Sequence, residues 1–168
     1  LVIKSINGER HEKECNRLKN KIGGDSRILQ IHEVLPHSIN TALMKCCDCY
    51  VSLHRSEGFG LTLAEAMLMG KPVITTGYSG NMDFTTSATA LLVDYELVPV
   101  QPGDYPFSHG EMWAEPNVQQ ACDYMLDLVE DSTFAQSLAQ KGEELIRTSF
   151  STTTMGDRYK KRLSNLLR

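Results

Sequence analysis

Cys49-Tyr50-Val51-Ser52-Leu53, His54-Arg55-Ser56-Glu57-Gly58-Phe59-Gly60 and Leu61-Thr62-Leu63-Ala64-Glu65-Ala66-Met67-Leu68-Met69-Gly70-Lys71-Pro72 run consecutively, and their reading decides the fold. The first piece is an apolar run of strand length. The second is a glycine-bearing turn, and the third has helical spacing of apolar residues and is stopped by Gly70 and Pro72. Strand, turn and helix thus meet at one mouth. Glycines at 58 and 60 allow torsions and close approach that a Cβ forbids, and the helix after them offers unpaired N–H groups at its positive end. An anion of phosphate size is stabilised there without a basic side chain.

Carboxylates flanking such a mouth would repel a phosphate, so Glu57 and Glu65 are better matched to hydroxyl groups, which donate hydrogen bonds to them. Sugars and ribose carry such hydroxyls. Glu57 ends its strand, where ligands enter an open α/β sheet. Plainer readings exist beside this one. Thr62 followed three residues later by Glu65 fits a capping box, in which Glu65 only satisfies a backbone N–H at its own helix start. Gly58 and Gly60 also fit an ordinary connection.

The same alternation extends in both directions. Residues 1–6 read as a strand, 9–21 as a polar helix ending at Gly23-Gly24, and 27–31 as a second strand. Pro36 opens a helix to about Cys47. Strands near 49–53, 72–75 and 89–93 alternate with helices near 61–69 and 80–86. Repeated βα units with short loops predict a single α/β domain over 1–168, a Rossmann-like parallel sheet with helices on both faces. Residues 94–115, rich in proline and aromatics, read as a long irregular segment of the kind that faces a ligand or partner. Helices follow at 118–130, 132–148 and 153–167.

The run Glu57-Gly58-Phe59-Gly60-Leu61-Thr62-Leu63-Ala64-Glu65-Ala66-Met67-Leu68-Met69-Gly70-Lys71-Pro72-Val73 resembles the E-x7-E signature of retaining glycosyltransferases of the GT-B fold, family 4. The resemblance extends back through Leu35-Pro36 and forward through Ile74-Thr75-Thr76 to Ser79-Gly80, thinning after about Val93. It implies one half of a GT-B enzyme, the donor-binding half, with an N-terminal acceptor-binding domain as its partner in the same protein. It implies that Glu57 lies beside the donor sugar and acts in catalysis, and that Glu65 binds ribose. Gly58, Phe59, Gly60, Leu61 and Thr62 would lie along the donor sugar and diphosphate, and Val34 would meet the base. The family's G-G-x-x-E loop appears here as Ser79-Gly80-Asn81-Met82-Asp83, so no role passes to it. The first strand of the half-domain, with a basic loop that clamps the diphosphate, is expected before Leu1-Val2-Ile3-Lys4.

Composition narrows the alternatives. Lys plus Arg total 17 against 21 Asp plus Glu, a net charge of −4, which leaves no broad basic field for nucleic acid or an anionic membrane. Arg158, Lys160, Lys161 and Arg162 read as the solvated face of a helix. No run approaches the ~20 apolar residues of a membrane span, and no signal-peptide pattern opens the chain, so a cytoplasmic protein is expected. Cys46, Cys47 and Cys49 are bunched, but they end a helix and begin a strand. With no second ligand pair they read as reduced thiols rather than a metal site. No D-x-D cluster is present, so neither metal nor cofactor is expected; a nucleotide-diphosphate sugar would enter as substrate. His54, before Glu57, reads as a hydrogen-bonded structural group and Lys4 as a structural one. Trp113 reads as packing against the domain.

Three function classes fit to different degrees. Retaining glycosyl transfer leads. A non-catalytic nucleotide- or sugar-binding module of the same fold comes second, and a flavodoxin-type signalling domain third, lacking the early acidic pair that would hold its ion.

Overall fold

The computed structural model describes residues 1–167, which form two compact units divided after Ala42. In the first, β1 (Val2–Lys4) pairs in parallel with β2 (Leu29–Ile31), Val2 opposite Leu29, and a 3-10 turn at Gly8–Arg10 leads into α1 (Glu12–Ile22) between them. Glu12 and Glu14 start α1 and Lys19 and Lys21 finish it, matching the helix dipole; Gly23 then stops it in the left-handed region at φ 59°. Before β2, the Arg27 guanidinium and backbone N–H both bond the Asp25 carboxylate, which holds that carboxyl below its ordinary range. No residue of this unit is buried. A two-stranded piece this short has too little apolar surface to enclose a core.

The boundary between units falls within α2 (His37–Cys46). The second unit is built on three parallel strands in the order β3 (Tyr50–Ser52), β4 (Val73–Thr76), β5 (Leu91–Val93). Central β4 is buried along its whole length, as expected of a strand covered on both sides. Its side chains alternate. Val73 joins a cluster with Leu63, Ala66 and Met67 of α3 (Leu61–Leu68) and Ile146 of α5 (Ser132–Ser149). Ile74 joins a cluster with Val93, Ala121 and Leu128 of α4 (Val118–Glu130), and Leu138. The strand period of two thus assigns α3 to one face and α4 to the other, while α5 contributes Ile146 to the first cluster and Leu138 to the second. Gly142 lets α5 approach α3 closely, since a Cβ there would meet Met67 Cε and Thr89 O at 3.2 Å.

Two segments depart from the sequence expectation. Residues 80–86 do not form an α-helix; a 3-10 turn at Gly80–Asp83 is all that forms. The threonines that follow bond the backbone instead, Thr85 Oγ1 to Asn81 O and Thr89 Oγ1 to Phe84 O, which competes with helical bonding. The supposed irregular stretch 94–115 holds an antiparallel hairpin, β6 (Tyr95–Pro99) and β7 (Met112–Pro116), with Leu97 opposite Ala114. Alternation at Tyr95, Leu97 and Pro99 was obscured by the prolines, which an isolated edge ladder tolerates. The chain ends in α6 (Thr152–Leu166), which has no buried residue and carries Arg158, Lys160, Lys161 and Arg162 exposed.

Candidate functional site

The quoted stretch folds as strand, turn and helix, with the turn between β3 and α3. Gly60 is the residue before α3 and takes φ 89°, a torsion open to glycine. Gly58 serves differently: its φ is unremarkable, and a Cβ there would meet nothing within 4 Å, so its backbone borders open space. The Phe59 ring packs against the core, its centroid 4.9 Å from Phe84 and 6.1 Å from Phe150. A cavity of about 510 Å³ lies at this anchor, lined by Phe59, Leu61 and Ala64 with Ile146, Phe150 and Arg158.

Helices α4, α5 and α6 each begin with a side-chain cap, from Asn117, Asp131 and Ser151 respectively. Helix α3 has none. Its first N–H groups are therefore without a side-chain acceptor, and Thr62 lies inside the helix rather than at its cap, so the capping box with Glu65 does not form. Leu61, Glu65 and Leu68 share the outward stripe of α3, opposite the buried Leu63, Ala64, Ala66 and Met67. Glu57 and Glu65 are half-buried, and neither takes part in the ion pairs among the described residues, which join Asp25 to Arg27, Arg55 to Glu115 and Glu143 to Arg147.

The turn bearing Glu57 is held from behind by the loop after β4. Glu57 N–H donates to Ser79 Oγ at 2.7 Å and Glu57 C=O accepts from Gly80 N–H at 3.1 Å. A Cβ on Gly80 would sit 2.0 Å from Gly58 O, so the two turns touch backbone to backbone. Beneath them lies buried Asn81. Its amide donates to Thr76 O at 3.0 Å and Thr85 Oγ1 at 3.1 Å, which leaves Oδ1 to accept from His54 Nε2–H at 3.1 Å. That N–H also reaches Tyr78 O, and Ser52 Oγ lies 3.3 Å from His54 Nδ1. His54 is thus a bonded structural group, as its position implied.

The hairpin reaches the same turn. Ala114 N–H donates to Arg55 O at 2.9 Å, and the Arg55 guanidinium lies 4.6 Å from the Trp113 ring centre and pairs with Glu115. Sequence reasoning gave Ser79, Gly80, Asn81, Arg55 and Glu115 no role. Their function is visible only once strands distant in sequence place them together. Of the residues singled out, Glu57 through Thr62 and Glu65 all lie in the second unit, on the turn after β3 and the start of α3, with Gly60 buried and Gly58, Leu61 and Thr62 exposed. Val34 belongs to the first unit, on the exposed segment after β2.

No group of three His, Cys, Asp or Glu residues able to hold a metal occurs among the described residues. The five cysteines are free, and burial pushes the Cys49 thiol up to about 12. Among the described residues no helix is long and apolar enough to cross a membrane.

A parallel α/β sheet whose strand end delivers a glycine turn, an uncapped helix and two carboxylates outside any ion pair belongs to the class of open α/β domains whose strands end at a crevice. The family model for glycosyl transferases group 1 matches residues 6–145. The chain belongs to that family. It is 25% identical over 125 residues to a trehalose synthase of Pyrococcus horikoshii, covering 74% of this chain and 25% of that protein. A structure of HepE from Anabaena in complex with UDP and glucose superposes with a TM-score of 0.72 at 19% identity, over 98% of this chain and 40% of that one. The C-terminal domain of the glycosyl transferase group 1 family protein LpcC from Francisella tularensis gives 0.63 at 23% identity, over 86% of this chain and 65% of that one. These likenesses establish the GT-B fold. The chain spans a quarter of the curated relative it matches and two-fifths of the HepE chain.

Proposed function

We propose that the chain is a donor-binding domain of a retaining glycosyltransferase, one that moves a sugar from a nucleotide diphosphate to an acceptor. The observation that carries this reading is the uncapped start of α3 between two unpaired carboxylates. The first N–H groups of α3 receive the diphosphate, favoured by the helix dipole, and the open space at Gly58 lets the backbone approach it. Glu65, one helical turn beyond Leu61, takes the ribose hydroxyls. Glu57 takes hydroxyls of the transferred sugar and stabilises positive charge as the sugar becomes oxocarbenium-like. Phe59, Gly60, Leu61 and Thr62 contribute main chain along the donor.

The UDP and glucose held by the HepE structure support a nucleotide-sugar donor. Charge on the leaving diphosphate is met by helix N–H groups, which makes transfer metal-independent. An acceptor-binding domain in the same protein completes the cleft, and the free thiols accord with a cytoplasmic setting.

The test is a panel of nucleotide sugars offered to the intact protein with and without chelator, read by product mass and by NMR of the new linkage. Transfer with retained anomeric configuration in the presence of chelator supports the reading. Donor binding without transfer to any acceptor identifies a non-catalytic binding module, and inverted product or loss of transfer on chelation refutes the mechanism.

A further inference from the structure

Ser79 adopts φ 73° and ψ −148°, a region that glycine occupies freely and side chains do not. Strain of this kind persists where surrounding contacts over-determine it, and here the contact is specific. The Ser79 hydroxyl accepts the Glu57 backbone N–H at 2.7 Å, while the next residue, Gly80, donates its N–H to the Glu57 carbonyl at 3.1 Å. Both polar groups of one residue's main chain are thus held by two consecutive residues of another loop. Gly80 sits so close that a Cβ would overlap Gly58 O, so the clamp has no slack. Below it, Asn81 ties the same loop to Thr76, Thr85 and His54. Glycine at 79 would relieve the torsion. The serine adds a single visible contact, the acceptor for Glu57 N–H.

We propose that Ser79 is a positioning residue: it uses a strained backbone to place its hydroxyl on the Glu57 N–H, and so fixes the direction from which the Glu57 carboxylate meets the donor sugar. This rests on the reading of Glu57 given above. The hydroxyl touches no substrate and acts only through Glu57. Losing it leaves the turn folded and the donor bound but lets the carboxylate wander, which depresses the chemical step rather than binding.

Ser79→Gly removes hydroxyl and strain together; Ser79→Ala removes the hydroxyl alone. In the intact protein both should lower kcat by about tenfold or more with donor KM within about twofold, the pattern of an interaction needed at the transition state. The Ser79→Gly protein should melt no lower than wild type. Combined with Glu57→Gln, Ser79→Gly should add no further loss, because it acts through the missing group. Amide hydrogen exchange reads the clamp without turnover, and the Glu57 N–H should exchange faster in Ser79→Gly. Wild-type kcat in Ser79→Gly, an additive loss in the double variant, or unchanged exchange at Glu57 overturns the proposal. Should Glu57→Gln itself leave kcat intact, the catalytic reading of Glu57 falls with it, while the exchange result still reports on the clamp.

Discussion

Replacing Gly80 with alanine tests the contact on which the site geometry depends. Gly80 has no positive φ, so alanine meets no torsional objection and any effect is steric. The added Cβ would lie 2.0 Å from Gly58 O and 3.0 Å from Glu57 O, so the two turns must part by about 1.4 Å before reaching ordinary contact at 3.4 Å. A shift of that size breaks the Gly80-to-Glu57 bond and pulls Ser79 Oγ off the Glu57 N–H. Two half-buried hydrogen bonds at about 1 kcal/mol each, with residual strain, give a loss of about 2–4 kcal/mol. For a chain of this length that lowers the melting temperature by about 5–12 °C. Gly58→Ala is the internal control, because its Cβ enters open space and should change stability by no more than about 0.5 kcal/mol. Thermal unfolding followed by circular dichroism compares the two. If Gly80→Ala melts within a degree of wild type, or Gly58→Ala melts as low, the backbone-to-backbone clamp is wrong.

Asn81→Ala should cost about 2–4 kcal/mol in urea unfolding, since it removes the donor to Thr76 O and one of the two acceptors of His54 Nε2–H; a loss under about 1 kcal/mol would contradict the network. Glu65→Ala should leave the melting temperature unchanged, because α3 has no capping box, yet weaken nucleoside diphosphate binding to the intact protein about tenfold or more, as calorimetry would read. A lowered melting point with unaltered affinity would reverse that assignment. Burial favours the protonated Cys49 thiol in the fold, so its contribution to stability is complete below pH 9.0, the ordinary thiol value, and is lost as pH rises toward about 12. A thiol reagent at pH 8 should therefore modify exposed Cys46 and Cys122 while sparing Cys49 until the chain unfolds, and mass mapping that finds Cys49 labelled with them contradicts its burial.

The elements that carry strong local signals were legible in the sequence. Gly23 and Gly70 stop helices where they stand, at φ 59° and 66°, and Val73 and Ile74 of β4 and Leu63, Ala64, Ala66 and Met67 of α3 are buried, while Leu61 and Leu68 face outward. The Glu57-to-Glu65 run announced its turn and helix because glycine placement and helical spacing act over a few residues. Two features escaped for physical reasons. The hairpin's ladder pairs residues up to 21 positions apart, from Tyr95 to Pro116, across a proline-rich connection that hides its alternation. The clamp on Glu57 depends on Ser79 and Gly80 arriving beside it through the β3–β4 register, Ser52 opposite Thr75, which no local pattern encodes. His54 could be read as structural, but its partner Asn81 lies 27 residues away.

The central claim is that Glu57 acts on charge developing at the donor sugar. It is tested most directly by Glu57→Gln in the intact protein, with turnover and donor dissociation constant measured on the same preparation. The amide keeps the size and hydrogen-bonding reach of the carboxylate but not its charge, so turnover should fall by about 100-fold or more while donor affinity changes by no more than a few-fold. A folded Glu57→Gln protein that turns over within a few-fold of wild type would contradict the account.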